Sequence, residues 1–270
     1  MRHIFWLFLI AISVDAKEPI KLVSDLEAFY NNTKIDIASI ILNEIETHKF
    51  SKINFTRIEA DRIAQWRLLK SRSHICLYNK MKRKPRLEYS IFTDLPLTAY
   101  PSNRLITYKN QFIKGDISLY EMVNLHGLKI GIIESRSYGN KLDKQISNLK
   151  SKLIVISGED SAQRLRKMFL QKKIDAIIEY ESVFSYENRK TITLTDFNFH
   201  RINNTDNFAF GYISCSKSDQ GEKAITNFNK ILNDKVFETQ ILNLHKLLFV
   251  GKEQILAIAA LEKIFRNNAN

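Results

Sequence analysis

The sequence predicts an α/β protein made of two similar units with a cleft between them. Three observations carry this. Strand-like and helical patterns alternate from Ile20 to Tyr78, and a second alternation runs from Ser118 to Thr195. The 270 residues hold only 8 Gly and 4 Pro, so no flexible linker separates the halves. Alternation of this kind points to mostly parallel sheets covered by helices. A cleft between two such units is the usual place for a small ligand.

The elements follow in order. "IKLVS" (Ile20–Ser24) reads as a strand. Lys34–His48 carries Ile35, Ala38, Ile41, Leu42 and Ile45 at helical spacing. "KINFTRI" (Lys52–Ile58) alternates as a strand, and Asp61–Lys70 is helical with Ile63, Trp66 and Leu69 on one stripe. "HICLY" (His74–Tyr78) is a strand, followed by a polar and aromatic stretch from Asn79 to Tyr100 and the strand "RLITY" (Arg104–Tyr108). Ser118–Asn124 then opens the second series as a short helix. "KIGIIE" is a strand, Gly139–Leu149 a helix, "KLIVIS" a strand and Ser161–Gln171 a helix. Ile174–Tyr180 is a strand, Ser182–Asn188 a short helix, and "TITLT" (Thr191–Thr195) a strand. "FAFGYISCS" (Phe208–Ser216) is the last strand. The helices Glu222–Leu232, Val236–Phe249 and Glu253–Phe265 close the chain, the last with Ile255, Leu256, Ile258, Ala259, Leu261 and Ile264 as its apolar residues.

Hydrophobic residues make up 44% and charged residues 26%, enough for a substantial core. The formal charge of +12 is scattered, and the densest run is "KMKRKPR" (Lys80–Arg86). That run is either a solvated face or a site for an anion. No nucleic-acid partner is expected. Arg2 and His3 precede the apolar stretch Ile4–Ile12, and Val14-Asp15-Ala16 supplies small residues behind it. This is a signal-peptide pattern over residues 1–16, too short for the roughly 20 apolar residues of a bilayer span. The mature chain is expected to be exported without a membrane span. In an oxidising compartment the two cysteines, Cys76 and Cys215, either close a disulfide or remain two buried thiols. The sequence holds no HExxH, GxSxG, Walker or CxxC motif, and its six His lack metal-ligand spacing. No enzyme and no cofactor are expected.

Several stretches together resemble one family. "PRLEYSIFTDLPL" (Pro85–Leu97) is similar to the ligand-arginine segment of type 2 periplasmic solute-binding proteins, the branch of polar amino-acid-binding proteins. "RLITYKNQFIKGDISLYEMVNLHGLKIGIIESRSYG" resembles their crossing strand and the strand and turn that follow it. "RLRKMFLQKKIDAIIEY" and "FGYISCSKSDQGEKAITNFNKIL" resemble two later segments in the same order. The resemblance implies two Rossmann-like lobes joined by crossing strands. Residues 17–107 plus 208–270 would form lobe 1 and residues 108–207 lobe 2. A small polar solute would bridge them, for an inner-membrane ABC permease or a sensor, with the protein acting as a periplasmic monomer.

The resemblance also implies site residues. Arg86 falls at the arginine that forks onto a ligand carboxylate, though it stands equally as one more charge in its basic run. Ser137 falls at the helix N-terminus that completes that carboxylate site, and reads equally as a cap. The acid that receives a ligand ammonium is replaced by Tyr180, whose ring offers a cation–π contact. Glu179 and Glu181 flank it, and on a regular strand they would point away from it. Arg83 replaces a threonine, and Glu134 a basic residue. Tyr30, Tyr100 and Tyr138 fall at the expected cleft edges as aromatic walls.

Overall fold

Strand β1 (Ile20–Ser24) lies between β2 (Phe55–Glu59) and β3 (Ile75–Lys80), parallel to both. The computed structural model describes residues 19–24, 37–52, 54–109, 113 and 115–268. The expected signal peptide therefore lies outside the described residues. In β3, Ile75 to Tyr78 are all buried, as a strand covered on both faces must be. Helix α1 (Ile37–Thr47) turns Ile37, Ala38, Ile41, Leu42 and Ile45 toward Leu22, Cys76 and Tyr78. Helix α2 (Arg62–Ser71) covers the other face, where Leu69 joins Val23, Ile75 and Leu77. Asp61 caps α2, its Oδ1 accepting from the Ala64 N–H at 2.8 Å. The expected α2 stripe is corrected at one position. Ile63 is 51% exposed, and Gln65 turns inward because its amide donates to the Ala60 carbonyl at 2.7 Å.

The stretch read only as polar and aromatic contains α3 (Lys84–Leu87), β4 (Ser90–Phe92) and β5 (Thr98–Pro101). The long return strand β11 (Phe208–Ser216) runs antiparallel to β3, β4 and β5 and completes the first sheet, β2-β1-β3-β11-β4 with β5 also on β11. Cys76 and Cys215 stand opposite each other on β3 and β11, 4.0 Å apart at Cα, and form a disulfide.

The second sheet has the order β10 (Phe197–Arg201), β6 (Arg104–Tyr108), β9 (Ala176–Glu179), β7 (Ile130–Ile133), β8 (Ile154–Ile156). Helices α4 (Leu119–Asn124) and α5 (Asn140–Leu149) bury Leu119 and Leu142 on one face. Helices α6 (Ser161–Leu170) and α7 (Glu181–Asn188) bury Leu165, Phe169 and Phe184 on the other. The strand expected at Thr191–Thr195 is displaced: that segment leads into a short 3₁₀ turn, Leu194–Asp196, and the strand is β10. Phe197 pairs with Tyr108 on β6 and packs its ring 5.3 Å from Phe184 and 5.7 Å from Phe169. Neither Ile192 nor Leu194 is buried, so aromatic burial sets the register.

The chain enters the second sheet after Pro101 and leaves it before Phe208, and the Ser102 N–H donates to the Asn207 carbonyl at 3.0 Å where the two crossings meet. The change of sheet thus falls at Ser102–Asn103, ahead of the boundary after residue 107 that the resemblance implies. Helices α8 (Asp219–Leu232), α9 (Lys235–Leu248) and α10 (Gly251–Asn267) return to the first half. Helix α10 turns Ala257, Ala260, Leu261 and Phe265 inward, while Ile255 is 67% exposed. The expected apolar stripe is therefore rotated. No described helix is long and apolar enough to cross a membrane.

His245 of α9 is fully buried beneath β5. Its Nδ1 lies 2.8 Å from the Ile241 carbonyl, and its Nε2 accepts from the Ala99 N–H at 3.2 Å. That arrangement fits only the neutral ring. Burial pushes the pKa down to about 4, against the opposing Ile241 hydrogen bond. The folded pKa lies below the unfolded one, so this group's stability is present above about pH 6.5 and is lost as pH falls toward 4. Urea unfolding at pH 7.5 and pH 4 should show a loss on the order of 3 kcal/mol from this residue. His245→Gln should lose correspondingly less between the two pH values.

Candidate functional site

Arg86 sits on α3, a single turn started by Pro85. The turn is held by Ser90, whose hydroxyl donates to the Arg86 carbonyl at 2.6 Å. The guanidinium lies 4.2 Å from the centroid of the Trp66 ring and donates from Nη1 to the Met81 carbonyl at 2.9 Å. Burial pushes its pKa down to about 10; Tyr89 opposes the shift, and the Arg83 and Arg62 charges reinforce it. No described carboxylate pairs with it. This is a half-buried, partly desolvated cation held by a neutral acceptor and an aromatic face.

Arg86 and Trp66 line one wall of a cavity of about 210 Å³ between the two sheets, with Ser24, Arg62 and Lys80 on the same side. Tyr100, Gly211 and Phe249 form its floor. A Cβ on Gly211 would fall 1.9 Å from Asn79 Oδ1, which accepts from the Thr98 hydroxyl at 2.8 Å. Only a bare strand fits beside that hydrogen bond.

The opposite wall is built from the turn after β7 and from the end of β9. Strand β9 stops at Glu179, and Tyr180 is the residue that precedes α7. This break in the strand brings Glu179 and Tyr180 into the same cavity lining, against the opposed placement expected of a regular strand. Glu179 is 1% exposed and accepts from three donors: Arg136 Nη2 on Oε1, Arg166 Nη1 on Oε2 at 3.2 Å, and its neighbour's Tyr180 N–H at 3.0 Å. Burial would raise its pKa, but Arg136 and Arg166 hold it below the usual carboxylate range. For Arg136, burial would lower the pKa, and Glu179 with the Tyr138 and Tyr180 hydroxyls raises it instead. The Tyr180 ring stacks on Tyr100, centroids 4.6 Å apart and 17° from parallel. The Ser182 hydroxyl lines this wall without a hydrogen-bond partner among the described residues.

Ser137 lines the cavity, but its hydroxyl is engaged. It donates to Asp143 Oδ2 at 2.8 Å and accepts from Arg83 Nη1 at 2.8 Å. The Tyr138 N–H donates to Asp143 Oδ1 at 2.6 Å, and Arg83 forms an ion pair with Asp143. The groups expected to cradle a ligand carboxylate at the start of α5 are thus filled by the chain's own carboxylate, with Arg83 reaching across from the first half. Tyr138 turns into the second half's core, where its hydroxyl accepts from the Ile133 N–H at 2.8 Å. Glu134 does not line the cavity. Tyr30 lies outside the described residues.

Arg86, Tyr100, Ser137, Glu179 and Tyr180 are therefore brought together. The sequence assigns none of Trp66, Arg136 and Arg166 to the site. In a chain with 41 Lys and Arg, two more arginines look like surface charge. The only signal for them is a glutamate ending a buried strand, which must find a partner.

No family model and no curated protein matches the sequence. Solved structures match the fold. An arginine 3rd transport system periplasmic binding protein from Legionella pneumophila superposes with a TM-score of 0.62 at 16% identity, over 86% of this chain and all of the other, 100%. The Bordetella pertussis BvgS periplasmic VFT2 domain gives a TM-score of 0.60 at 13% identity, over 85% and 92%. A protein described as a putative L-cystine ABC transporter from Listeria monocytogenes gives 0.64 at 12%, over 86% and 94%.

The chain has the type 2 periplasmic solute-binding protein fold. In that fold the two sheets are the lobes and the cavity is the interlobe cleft. Arg104 ties the lobes beside it: Nη2 donates to Glu253 Oε1 of α10 at 3.1 Å, and Nε lies 3.7 Å from Glu181.

Proposed function

We propose that this chain is an exported solute-binding protein that takes a small polar solute between its lobes. It delivers the solute to an inner-membrane ABC permease or presents it to a sensor, and it is not an enzyme. Residues 17–107 with 208–270, adjusted at the crossing to Ser102, form lobe 1, and the segment between forms lobe 2. Residues 1–16 direct export. The observation that carries the reading is Arg86, a half-buried cation in the interlobe cleft with no described carboxylate beside it. A partly desolvated guanidinium that faces a cleft gains a charge-assisted hydrogen bond when an anion meets it, so the cleft is suited to an anionic ligand group. Contacts on both lobes favour the closed arrangement by their difference in free energy between the two states.

A screen of small solutes by thermal shift should find a ligand that raises Tm by mass action. Arg86→Ala should then weaken that ligand at least about tenfold, on the order of 1.4 kcal/mol, with the fold intact by circular dichroism. Unchanged affinity in titration calorimetry would remove Arg86 from the site.

One observation favours a second reading, an envelope protein of the same fold with a degenerate ligand site. Asp143 and Arg83 already fill the cradle at Ser137. On that reading the screen gives no hit.

A further inference from the structure

We infer that the cleft selects an organic anion that carries no ammonium group, and that Arg136 is the residue that rejects amino acids. The inference rests on the solute-binding reading and names the ligand class of that site. A zwitterion needs two complementary surfaces: a cation for its carboxylate, and a carboxylate or aromatic face for its ammonium. Arg86 supplies the first. On the facing wall, Glu179 and the Tyr180 ring are suited to the second, and Arg136 occupies both; Tyr186 of the same wall carries the Arg189 guanidinium 3.8 Å from its ring centroid. Arg136 Nη2 donates to Glu179 Oε1, and the Arg136 guanidinium carbon lies 5.3 Å from the Tyr180 ring centroid and 5.0 Å from that of Tyr138. The Tyr180 ring is also stacked on Tyr100.

The remaining carboxylate capacity of this wall is also taken. Arg166 donates to the second oxygen of Glu179 at 3.2 Å and places Nη2 3.8 Å from Glu187, the other described carboxylate lining the cleft. Every described carboxylate of the lining therefore faces a guanidinium. An ammonium brought here would have to displace an arginine from a fully buried carboxylate, or sit beside Arg136 as a like charge in a poorly solvated site. Arg136 does not yield by losing its proton, because Glu179 holds it in the charged form. A carboxylate ligand without the ammonium meets Arg86 on one wall and no repulsion on the other.

The test uses probe pairs that differ only in the ammonium: L-glutamate with glutarate, L-leucine with 4-methylpentanoate, and L-phenylalanine with 3-phenylpropanoate. Titration calorimetry on the wild-type protein should find at least one deaminated acid bound, tenfold or more tighter than its amino acid. Equal or tighter binding of the amino acid overturns the inference and leaves the solute-binding reading standing. Failure of all three deaminated acids, with a sugar or polyamine bound instead, does the same. Failure of every solute class removes the solute-binding reading as well. In the variants, Arg136→Lys should keep the preference, and Arg136→Met should shrink it at least tenfold by freeing Glu179 and the Tyr180 ring. A folded Arg136→Met protein with the wild-type preference would take the role away from Arg136. If that variant does not fold, the probe pairs on the wild type and on Arg136→Lys still decide.

Discussion

Replacing Glu179 by alanine should cost about 3–5 kcal/mol of stability, read by urea unfolding at pH 7. The residue is 1% exposed, and its two oxygens hold Arg136 and Arg166, whose side chains are themselves only 11% and 13% exposed. Removing the carboxylate leaves two largely covered guanidinium groups without their shared partner. Arg166 retains Glu187 at 3.8 Å, and Arg136 retains no described carboxylate. The Tyr180 N–H also loses its acceptor. Glu179→Gln separates charge from volume, because the amide fills the same space. Its oxygen serves one arginine and its NH₂ group meets the donors of the other, so most of the loss should remain. A double change, Arg136→Met with Glu179→Leu, should cost clearly less than the sum of its parts, since it removes the stranded cation together with its partner. A loss below about 1 kcal/mol for Glu179→Ala would mean that water reaches both arginines and that the pair is a surface ion pair.

That cluster also shows where sequence reading stops. The strands and helices of both lobes are legible because burial imposes a period of two or of 3.6 on neighbouring residues. The misplaced strand at Thr191–Thr195 has the same alternation as Phe197–Arg201, and pairing with β6 together with burial of Phe197 decides between them. Such pairing joins residues far apart in the chain and leaves no local mark. Helix α10 is similar: Ile255 and Ala257 both suit an apolar stripe, and the neighbouring β5 selects the alanine side. In the site, Arg86 and Ser137 are found through resemblance, and the structure places both at the cleft. That Ser137 is engaged by Asp143 and Arg83 depends on the two lobes meeting there. The joining of Arg136, Arg166 and Glu179 depends on β7, α6 and β9 meeting at one point. Each arginine alone carries no signal in so basic a chain.

The disulfide has the second large effect. Cys76 and Cys215 are both fully buried on adjacent strands of the first sheet, and 139 positions separate them in sequence. The chain between them contains the entire second sheet, leaving lobe 1 after β5 and returning on β11. Closing so long a loop restricts the unfolded chain strongly, and a bond of this kind contributes about 2–5 kcal/mol. Cys76→Ala with Cys215→Ala should lose an amount in that range, measured against the oxidised wild type in urea. Alanine is the right replacement, because serine would bury a new hydroxyl between the strands. If the effect lies in the unfolded chain, the slope of the urea transition should also rise, since an unlinked chain exposes more surface. Reduced wild-type protein should then behave like the double variant. If instead the double variant loses stability while the slope stays fixed, the contribution comes from packing between β3 and β11. The same comparison tests the coupling of the lobes. With the link gone, β11 is held against β3 only by their hydrogen bonds and by the packing of Ala209 and Ile213 in the lobe 1 core, so both crossing strands should lose protection in hydrogen exchange before the second sheet does.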